Sequence, residues 1–226
     1  MLRLKPIIAI DGPAGSGKST VAKRVAQKLG LFYIDTGAMY RCLALKAQMT
    51  KVKPEDLAHL IDLACNLDIR MHYDSQTEAL QVVLDGKDVT EDIRKPAITR
   101  DVSTIAKIKE VRQHMVGLQR KLAEGKNAIL EGRDITTVVF PDAYKKFYLD
   151  ASAEERIKRR YLELREKNLP VETDEVKNDI TNRDQLDTMR EHSPLRRAPD
   201  AVYLDTTHMT IDEVVNAVIL QIQKPA

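Results

Sequence analysis

The segment GPAGSGKS at residues 12–19 constrains the fold of this chain most, because it matches the phosphate-binding loop (P-loop) pattern G-x-x-x-x-G-K-[ST]. It follows an apolar run at residues 6–10 and precedes a stretch with helical periodicity that Gly30 closes as a predicted C-cap. Glycines let backbone N–H groups surround phosphate oxygens, and a helix N-terminus favours negative charge. The sequence therefore predicts a nucleoside triphosphate site made by Gly12, Pro13, Ala14, Gly15, Ser16, Gly17, Lys18, Ser19 and Thr20.

Two residues of this loop have predicted chemical roles. Lys18 is expected to reach the β- and γ-phosphates, and the Ser19 hydroxyl is expected to ligate Mg²⁺. The surrounding pattern excludes several classes of P-loop protein. The chain has neither the Asp-x-x-Gly switch nor the Asn-Lys-x-Asp base reader of a GTPase, and it is short for a translocating ATPase. Kinases of nucleotides or other small molecules remain.

Strand and helix signals alternate along much of the chain. Apolar, partly β-branched runs at residues 6–10, 31–34, 128–130, 146–149 and 201–204 predict five strands of a doubly wound parallel α/β core. Ser152 with Glu155 predicts a capping box that opens a helix to about residue 167, and Thr210 with Glu213 predicts another. These signals indicate an α/β fold with right-handed crossovers.

Residues 38–125 have a different pattern. Helical periodicity covers 38–49 and 55–66, and further helices are predicted near Pro96 and over 109–124. Between them, alternating segments at 67–71 and 80–84, followed by an Asp85-Gly86 turn and a short segment at 87–89, predict a small antiparallel sheet. We therefore expect an excursion from the core rather than a second full domain.

Composition limits the possible partners and compartment. In 226 residues, 36 Lys and Arg face 34 Asp and Glu, so a net charge of +2 argues against a nucleic-acid coat. The apolar segments are too short for a signal peptide or a membrane span, so we expect a cytoplasmic protein without a membrane partner. Cys42 and Cys65 lack metal-ligand spacing and are predicted to be free buried thiols.

Arginines and carboxylates cluster where core strands end. Residues 35–41 and 131–134 follow two predicted strands, so they meet at the sheet edge where α/β proteins bind ligands. Arg183, Asp187 and Arg190 have i, i+4, i+7 spacing and are predicted to share one helix face. Arg156, Arg159 and Arg160 begin a predicted helix that fits a lid over transferring phosphates. Arginines grouped in this way can pair with the phosphate oxygens of a phosphorylated acceptor.

The ordered motifs IDGPAGSGKST, IDTGAMYR, EGRDITTVVFPDA, RD-x-x-D-x-x-R and SPL resemble those of the bacterial cytidylate kinases. The resemblance implies a nucleoside monophosphate kinase fold, with a core at about 1–37, 126–151 and 190–226. It also implies an acceptor-binding excursion at about 38–125 and a lid at about 152–189. The implied reaction transfers the ATP γ-phosphoryl group to CMP or dCMP, with Mg²⁺ and ATP as cofactor and co-substrate. We also expect a monomer without a nucleic-acid partner.

Site residues carry over by motif position. The resemblance implies CMP contacts by Thr36, Arg41, Ser103, Arg112, Arg133, Asp134, Arg183, Asp187 and Arg190, with cytosine read by Ser103, Arg112 and Asp134. It implies catalytic roles for Lys18, Arg133, Arg156, Arg159, Arg160 and Arg190. Glu131 stands where related kinases hold Mg²⁺-bound water with Asp. Thr36 replaces a frequent Ser, and Thr136 replaces the usual Gly, which predicts a local backbone difference beside Arg133.

The chemistry of cytosine independently supports this base assignment. The N4 amino group donates a hydrogen bond that Asp134 or Ser103 can accept, whereas uracil presents an acceptor there. Two alternatives remain open at this point. One is a kinase of another small acceptor such as UMP, and the other is a non-catalytic, nucleotide-dependent RNA-binding module. Against the second stands the scarcity of stacking aromatics, which make up 4% of the chain without any Trp.

Overall fold

The computed structural model describes residues 6–74, 76–77, 79–166 and 170–224. Its strands are β1 (Ile7–Asp11), β2 (Phe32–Asp35), β3 (Ile69–Asp74), β4 (Ala79–Leu84), β5 (Lys87–Asp88), β6 (Ala128–Gly132), β7 (Lys145–Asp150) and β8 (Val202–Asp205). Its α-helices are α1 (Lys18–Leu29), α2 (Thr36–Met49), α3 (Leu57–Cys65), α4 (Pro96–Ala106), α5 (Lys109–Ala123), α6 (Ala153–Glu166), α7 (Thr173–Met189) and α8 (Ile211–Gln223). A 3₁₀ turn covers Asp92–Arg94, and a π-helical turn covers Ile135–Val139.

The core is a parallel sheet with the strand order β2-β6-β1-β7-β8. All five predicted strands are confirmed, with ends displaced by one or two residues. Every residue of β6 is buried, as are four of the five in β1, which explains their nearly continuous apolar runs. The P-loop therefore extends from the middle strand of the sheet.

Two of the three predicted helix caps are confirmed, and one of the two bonds of the third is present. Gly30 adopts the left-handed conformation and its N–H donates to Ala26 O. Thr210 and Glu213 form both bonds of a capping box. At the third position, Ser152 Oγ accepts a hydrogen bond from Glu155 N at 3.2 Å, as a capping box requires. The Glu155 carboxylate, however, accepts a hydrogen bond from Arg159 Nε at 3.0 Å. The predicted end of that helix near residue 167 lies outside the described residues.

The excursion contains the predicted small antiparallel sheet, in the order β3-β4-β5. Its apolar face packs into the main core through Met71, Leu80 and Val82. One expectation is wrong here: Cys42 is buried, but Cys65 is exposed at the end of α3, with Sγ 3.0 Å from His114 Nε2. Periodicity placed this cysteine on a helix but did not fix which face packs.

The predicted face carrying Arg183, Asp187 and Arg190 also differs from the structure. Helix α7 ends at Met189, and Arg190 has extended backbone angles, with φ −62° and ψ 140°. Its side chain still turns back to the helix, because Nη1 lies 3.4 Å from Asp187 Oδ1. None of the helices in the described part of the chain combines the length and apolar character needed to cross a bilayer.

Candidate active site

The P-loop connects the buried end of β1 to the first turn of α1. Gly17 is the N-cap of α1, in the left-handed conformation, so the unpaired N–H groups of the helix start adjoin the loop. Lys18 is buried, and its Nζ donates to Pro13 O at 2.8 Å across the loop. Ser19 and Thr20 follow on the exposed side of the helix. The predicted loop residues thus surround a site suited to an anion.

The pKa of Lys18 is lowered to about 7, from an ordinary value of 10.5. Burial is the largest cause, and the positive charge of Arg133 is the next. Glu131 acts in the opposite direction but does not compensate. The protein groups around Lys18 therefore supply too little negative charge to keep its ammonium group protonated, and a polyphosphate would supply that charge.

Ser19 and Glu131 lie in direct contact. Ser19 Oγ donates to Glu131 Oε1 at 2.7 Å, and Tyr33 Oη lies 3.3 Å from the same oxygen. The pairing of β1 with β6 causes this arrangement, because Glu131 lies level with Ile10, just before the loop. A hydroxyl and a carboxylate are hard oxygen donors, so these two residues fit a Mg²⁺ ion that keeps most of its water ligands.

Asp35, Thr36 and Arg41 form one end of the acceptor side, at the start of α2. Asp35 caps the helix by accepting from Ala38 N at 2.8 Å and pairs with Arg41 Nη2 at 2.8 Å. Thr36 Oγ1 donates to Glu131 O at 2.7 Å. A side chain at Gly132 would place its Cβ 2.6 Å from Thr36 Oγ1, so glycine is needed for this close approach. Because its hydroxyl hydrogen is used in the bond to Glu131, Thr36 could only accept a hydrogen bond from the predicted CMP ligand.

A buried chain of alternating charges forms the other end. Arg112 Nη2 donates to Asp134 Oδ2 at 2.5 Å, and Arg190 Nη2 is 3.9 Å from Asp134 Oδ1. Asp187 joins Arg190 to Arg133, whose Nε donates to Asp187 Oδ2 at 2.7 Å. Residues from α5, from the end of α7 and from the segment after β6 thus meet at one place. We call these five residues the acceptor cluster.

The electrostatics of this cluster favour an anionic ligand. Burial alone would raise the pKa of Asp187, but Arg133, Arg183 and Arg190 outweigh it and lower that pKa. The pKa of Arg183 falls to about 10, first because of burial and then because of repulsion by Arg133. The positive charge here is therefore incompletely neutralised by protein carboxylates.

Several polar atoms on the acceptor side, in or beside the acceptor cluster and at the start of α2, are buried without a hydrogen-bond partner. They are Tyr40 Oη, Arg41 Nε, Arg112 Nε and Arg190 Nη2. Unpaired buried donors cost free energy, so their concentration at one place indicates a polar ligand that completes them. Ser103, the remaining predicted base contact, lies half-buried on α4, which packs against α7. Its contact with a base remains a prediction.

The three predicted lid arginines occupy different positions on α6. Arg156 Nη1 donates to Ala14 O of the P-loop at 3.0 Å. Arg159 binds Thr206 through Nη1 to Oγ1 at 3.0 Å and Nη2 to O at 2.6 Å, beside Gly17. Arg160 donates to Glu163 Oε2 at 2.8 Å, on its own helix. The structure thus brings two of the three to the loop, and phosphate contacts by all three stay predictions.

Three residues of the site carried no predicted role. Tyr40 lies under Arg112, whose guanidinium carbon is 5.5 Å from the ring centroid, and its i+4 spacing from Thr36 was an available signal. Asp11 binds the turn after β6, and Asp184 binds the P-loop. The last two act through contacts more than a hundred residues away along the chain, for which no local pattern exists.

Comparison with known proteins identifies the family of this chain. The chain matches the family described as cytidylate kinase over residues 8–224. It belongs to the cytidylate kinase family. A cytidylate kinase of Caldanaerobacter subterraneus subsp. tengcongensis is 49% identical over 99% of this chain and 97% of that relative. One of Alkaliphilus oremlandii is 48% identical over 94% of this chain and 95% of that relative.

The fold is also found in a distant solved structure. An uncharacterized protein from Eubacterium ventriosum superposes with a TM-score of 0.54 at 13% identity, over 97% of this chain and 99% of that chain. At that identity the likeness extends to the fold alone. Membership of the cytidylate kinase family makes this chain an ATP-dependent phosphotransferase, as the P-loop predicts.

Proposed function

We propose that this enzyme transfers the γ-phosphoryl group of ATP to CMP or dCMP, giving ADP and CDP or dCDP. The observation that carries the proposal is the acceptor cluster, in which buried Asp134 lies between Arg112 and Arg190. A carboxylate held in this way accepts the N4 amino hydrogen of cytosine and meets an unfavourable acceptor in uracil. The same site leaves arginine donors for the acceptor phosphate.

The reaction needs no general base, because the acceptor phosphate is a dianion near neutral pH. In-line positioning and charge stabilisation supply the catalysis. Lys18 contacts the transferring phosphates, Arg133 and Arg190 hold the acceptor phosphate, and the lid arginines exclude water as α6 and α7 close. Ser19 and Glu131 would hold Mg²⁺, which adds positive charge to the phosphate oxygens when bound.

We propose three further properties on the strength of this function. The enzyme works as a core, an acceptor excursion and a lid with the bounds given above. It acts as a monomer on small nucleotides, without a nucleic-acid partner. It works in the cytoplasm, where ATP and pyrimidine monophosphates are available.

A comparison of acceptors tests the function. ADP release by the purified enzyme is measured with ATP, Mg²⁺ and either CMP, dCMP, UMP, AMP or shikimate. We expect kcat/KM for CMP or dCMP to exceed that for UMP by at least about a hundredfold, because a site built for one hydrogen-bond pattern rejects the mismatch strongly. EDTA should abolish the activity, and excess Mg²⁺ should restore it.

Two results would contradict the proposed function. Equal rates with UMP and CMP would contradict base reading by Asp134. Salt-dependent RNA binding without phosphoryl transfer to any acceptor would favour the non-catalytic alternative.

A further inference from the structure

Asp184 connects the two lid helices to the P-loop. It lies on α7, and its Oδ1 accepts from Ala14 N at 3.1 Å. Its Oδ2 accepts from Arg156 Nη1 on α6. A single carboxylate thus contacts two elements that are remote from it in sequence.

The same contacts hold both backbone polar groups of Ala14, which belong to two consecutive peptide units. Arg156 Nη1 also donates to Ala14 O at 3.0 Å, so the N–H of Ala14 is bound by Asp184 and its C=O by Arg156. The backbone of α6 is equally close, because a Cβ on Gly15 would lie 2.8 Å from Arg156 O. Asp184, Ala14 and Arg156 therefore form a closed ring, which we call the loop clamp.

A carboxylate at this place is chemically unexpected. A loop that binds polyphosphate should repel another anion nearby, and Asp184 would weaken ATP binding if it were unpaired. Arg156 neutralises it, and both side chains are largely shielded, with 20% and 11% exposure. Shielded ion pairs fix geometry better than exposed ones. The arrangement is explained if the clamp orients the loop and Arg156.

The neighbours of Asp184 on α7 are residues of the proposed CMP site. Arg183 precedes it and Asp187 follows within one turn, and Asp187 binds Arg133 of the acceptor cluster. A helical turn is stiff, so movement of the clamp displaces the acceptor contacts, and the reverse also holds. The donor loop and the acceptor cluster are thereby joined through a single turn of α7.

We propose that Asp184 is a positioning residue that couples the donor site to the acceptor site. ATP binding fixes the P-loop and hence the clamp, which sets α7 in the position that binds CMP. By linkage, CMP binding favours ATP by the same factor. This inference rests on the proposed function, because it takes ATP as donor and CMP as acceptor.

Calorimetry with three variants tests the coupling. The dissociation constant of CMP is measured with and without a non-hydrolysable ATP analogue and Mg²⁺. In the unaltered enzyme we expect the analogue to tighten CMP binding about fivefold or more. Asp184→Asn should reduce that factor to below about twofold, while the affinity for CMP alone changes little.

Two other variants separate positioning from a general structural effect. Asp174→Asn removes a charge from the exposed first turn of the same helix and should keep the full coupling. Asp184→Glu moves the carboxylate by one methylene, so it should hold Arg156 but lose the bond to Ala14 N and show intermediate coupling. Thermal unfolding monitors the fold of each variant.

The outcomes distinguish this inference from the proposed function. If the unaltered enzyme does not phosphorylate CMP, the function fails, whatever the variants do. If it does, a folded Asp184→Asn variant with undiminished coupling overturns the positioning role. Should that variant unfold, full coupling in Asp184→Glu overturns it equally, because the proposal requires both bonds of the clamp for full coupling.

Discussion

Among single residues, Lys18 shows how the protein groups around a phosphate site control the charge of the lysine. Its pKa of about 7 in the free enzyme results from burial and from Arg133, with Pro13 O as its hydrogen-bond acceptor. Since the pKa lies below its ordinary value, folding favours the neutral amine, and the cost of the buried charge is largest below pH 7. Bound phosphates reverse this preference.

ATP binding is therefore predicted to take up a proton. At pH 8 the free enzyme holds Lys18 mostly neutral, whereas triphosphate oxygens should raise its pKa above 8. Binding of a non-hydrolysable ATP analogue should thus take up as much as about one proton, and affinity should fall by up to about tenfold per pH unit between pH 7 and 9.

Calorimetry at pH 8 in two buffers of different ionisation enthalpy measures this uptake. Lys18→Arg is the control, because arginine stays protonated and should remove the buffer dependence. A binding enthalpy that is the same in both buffers for the unaltered enzyme would contradict the prediction.

Residue roles differ in how far a sequence can reveal them. Lys18 and Ser19 belong to a contiguous motif, so spacing alone predicts both the chemistry and the place. Asp184 stands within the quoted motif RD-x-x-D-x-x-R, but its partner Ala14 lies 170 residues earlier. Its role follows only from tertiary contact, which one sequence does not record.

At the scale of elements, the π-helical turn Ile135–Val139 positions two predicted site residues. Arg133 and Asp134 immediately precede it, and buried Asp11 anchors its start. The Asp11 carboxylate accepts from Ile135 N at 2.9 Å, Thr136 N at 2.8 Å and Thr136 Oγ1 at 2.6 Å. Burial raises the pKa of Asp11 to about 6, although these three bonds oppose the increase.

Thr136→Val tests this anchor. The substitution keeps the shape but removes one of three donors to a buried carboxylate, so we expect a loss of about 1–3 kcal/mol in the free energy of unfolding. The value of kcat/KM for CMP should fall by up to about tenfold, because Arg133 and Asp134 shift with the turn. Denaturant unfolding and steady-state kinetics measure the two effects.

The next residue provides a matched control. Thr137 Oγ1 is buried without a hydrogen-bond partner, so Thr137→Val should leave stability unchanged or increase it. Equal stability losses in the two variants would show that the hydroxyl of Thr136 does not anchor the turn.

Thr136, which stands where the family usually has Gly, predicts an altered backbone beside Arg133. Residues 135–139 form a π-helical turn, and the Thr136 hydroxyl contributes a bond that glycine could not make. The position of the residue was visible in sequence, whereas its partner Asp11 was not, since the two are 125 residues apart. The end of α7 was missed because the spacing of Arg190 continues the helical period beyond Met189.

At the scale of the whole molecule, a net charge of +2 conceals a local excess of positive charge. In this group of residues, buried or half-buried cations outnumber the carboxylates that pair with them or act on their pKa. The cations are Lys18, Arg41, Arg112, Arg133, Arg183 and Arg190, and the carboxylates are Asp35, Glu131, Asp134 and Asp187. The cleft should therefore be stabilised by anions that bind only the folded state.

Inorganic phosphate should raise the melting temperature above its value in chloride at the same ionic strength. A ligand at ten times its dissociation constant stabilises by about 1.4 kcal/mol, which corresponds to about 3–6 °C for a chain of this size. Arg133→Ala should reduce the shift. Arg24→Ala, which removes the exposed pair with Asp212, should retain it. A shift of the same size in both variants would contradict binding at the cleft.

The class of the fold could be predicted from sequence, but the strand order could not. Alternating strands and helices identify a parallel α/β core, and turn signals identify the antiparallel excursion. Nothing in the local pattern places β6 between β1 and β2, because that neighbour relation depends on contacts across the whole excursion. Yet this order is what brings Glu131 to Ser19.

The central position of β1 also has a consequence for synthesis on the ribosome. The strand that carries the P-loop is translated first, but its two neighbours begin at Ala128 and Lys145. At about 5–20 residues per second, synthesis from the end of β1 to the end of β6 takes roughly 6–24 seconds, so β1 waits at least that long for either hydrogen-bonded neighbour. Until then its apolar residues are exposed in the exit vestibule, so premature release or stalling within the excursion should yield a chaperone client and not a partial kinase.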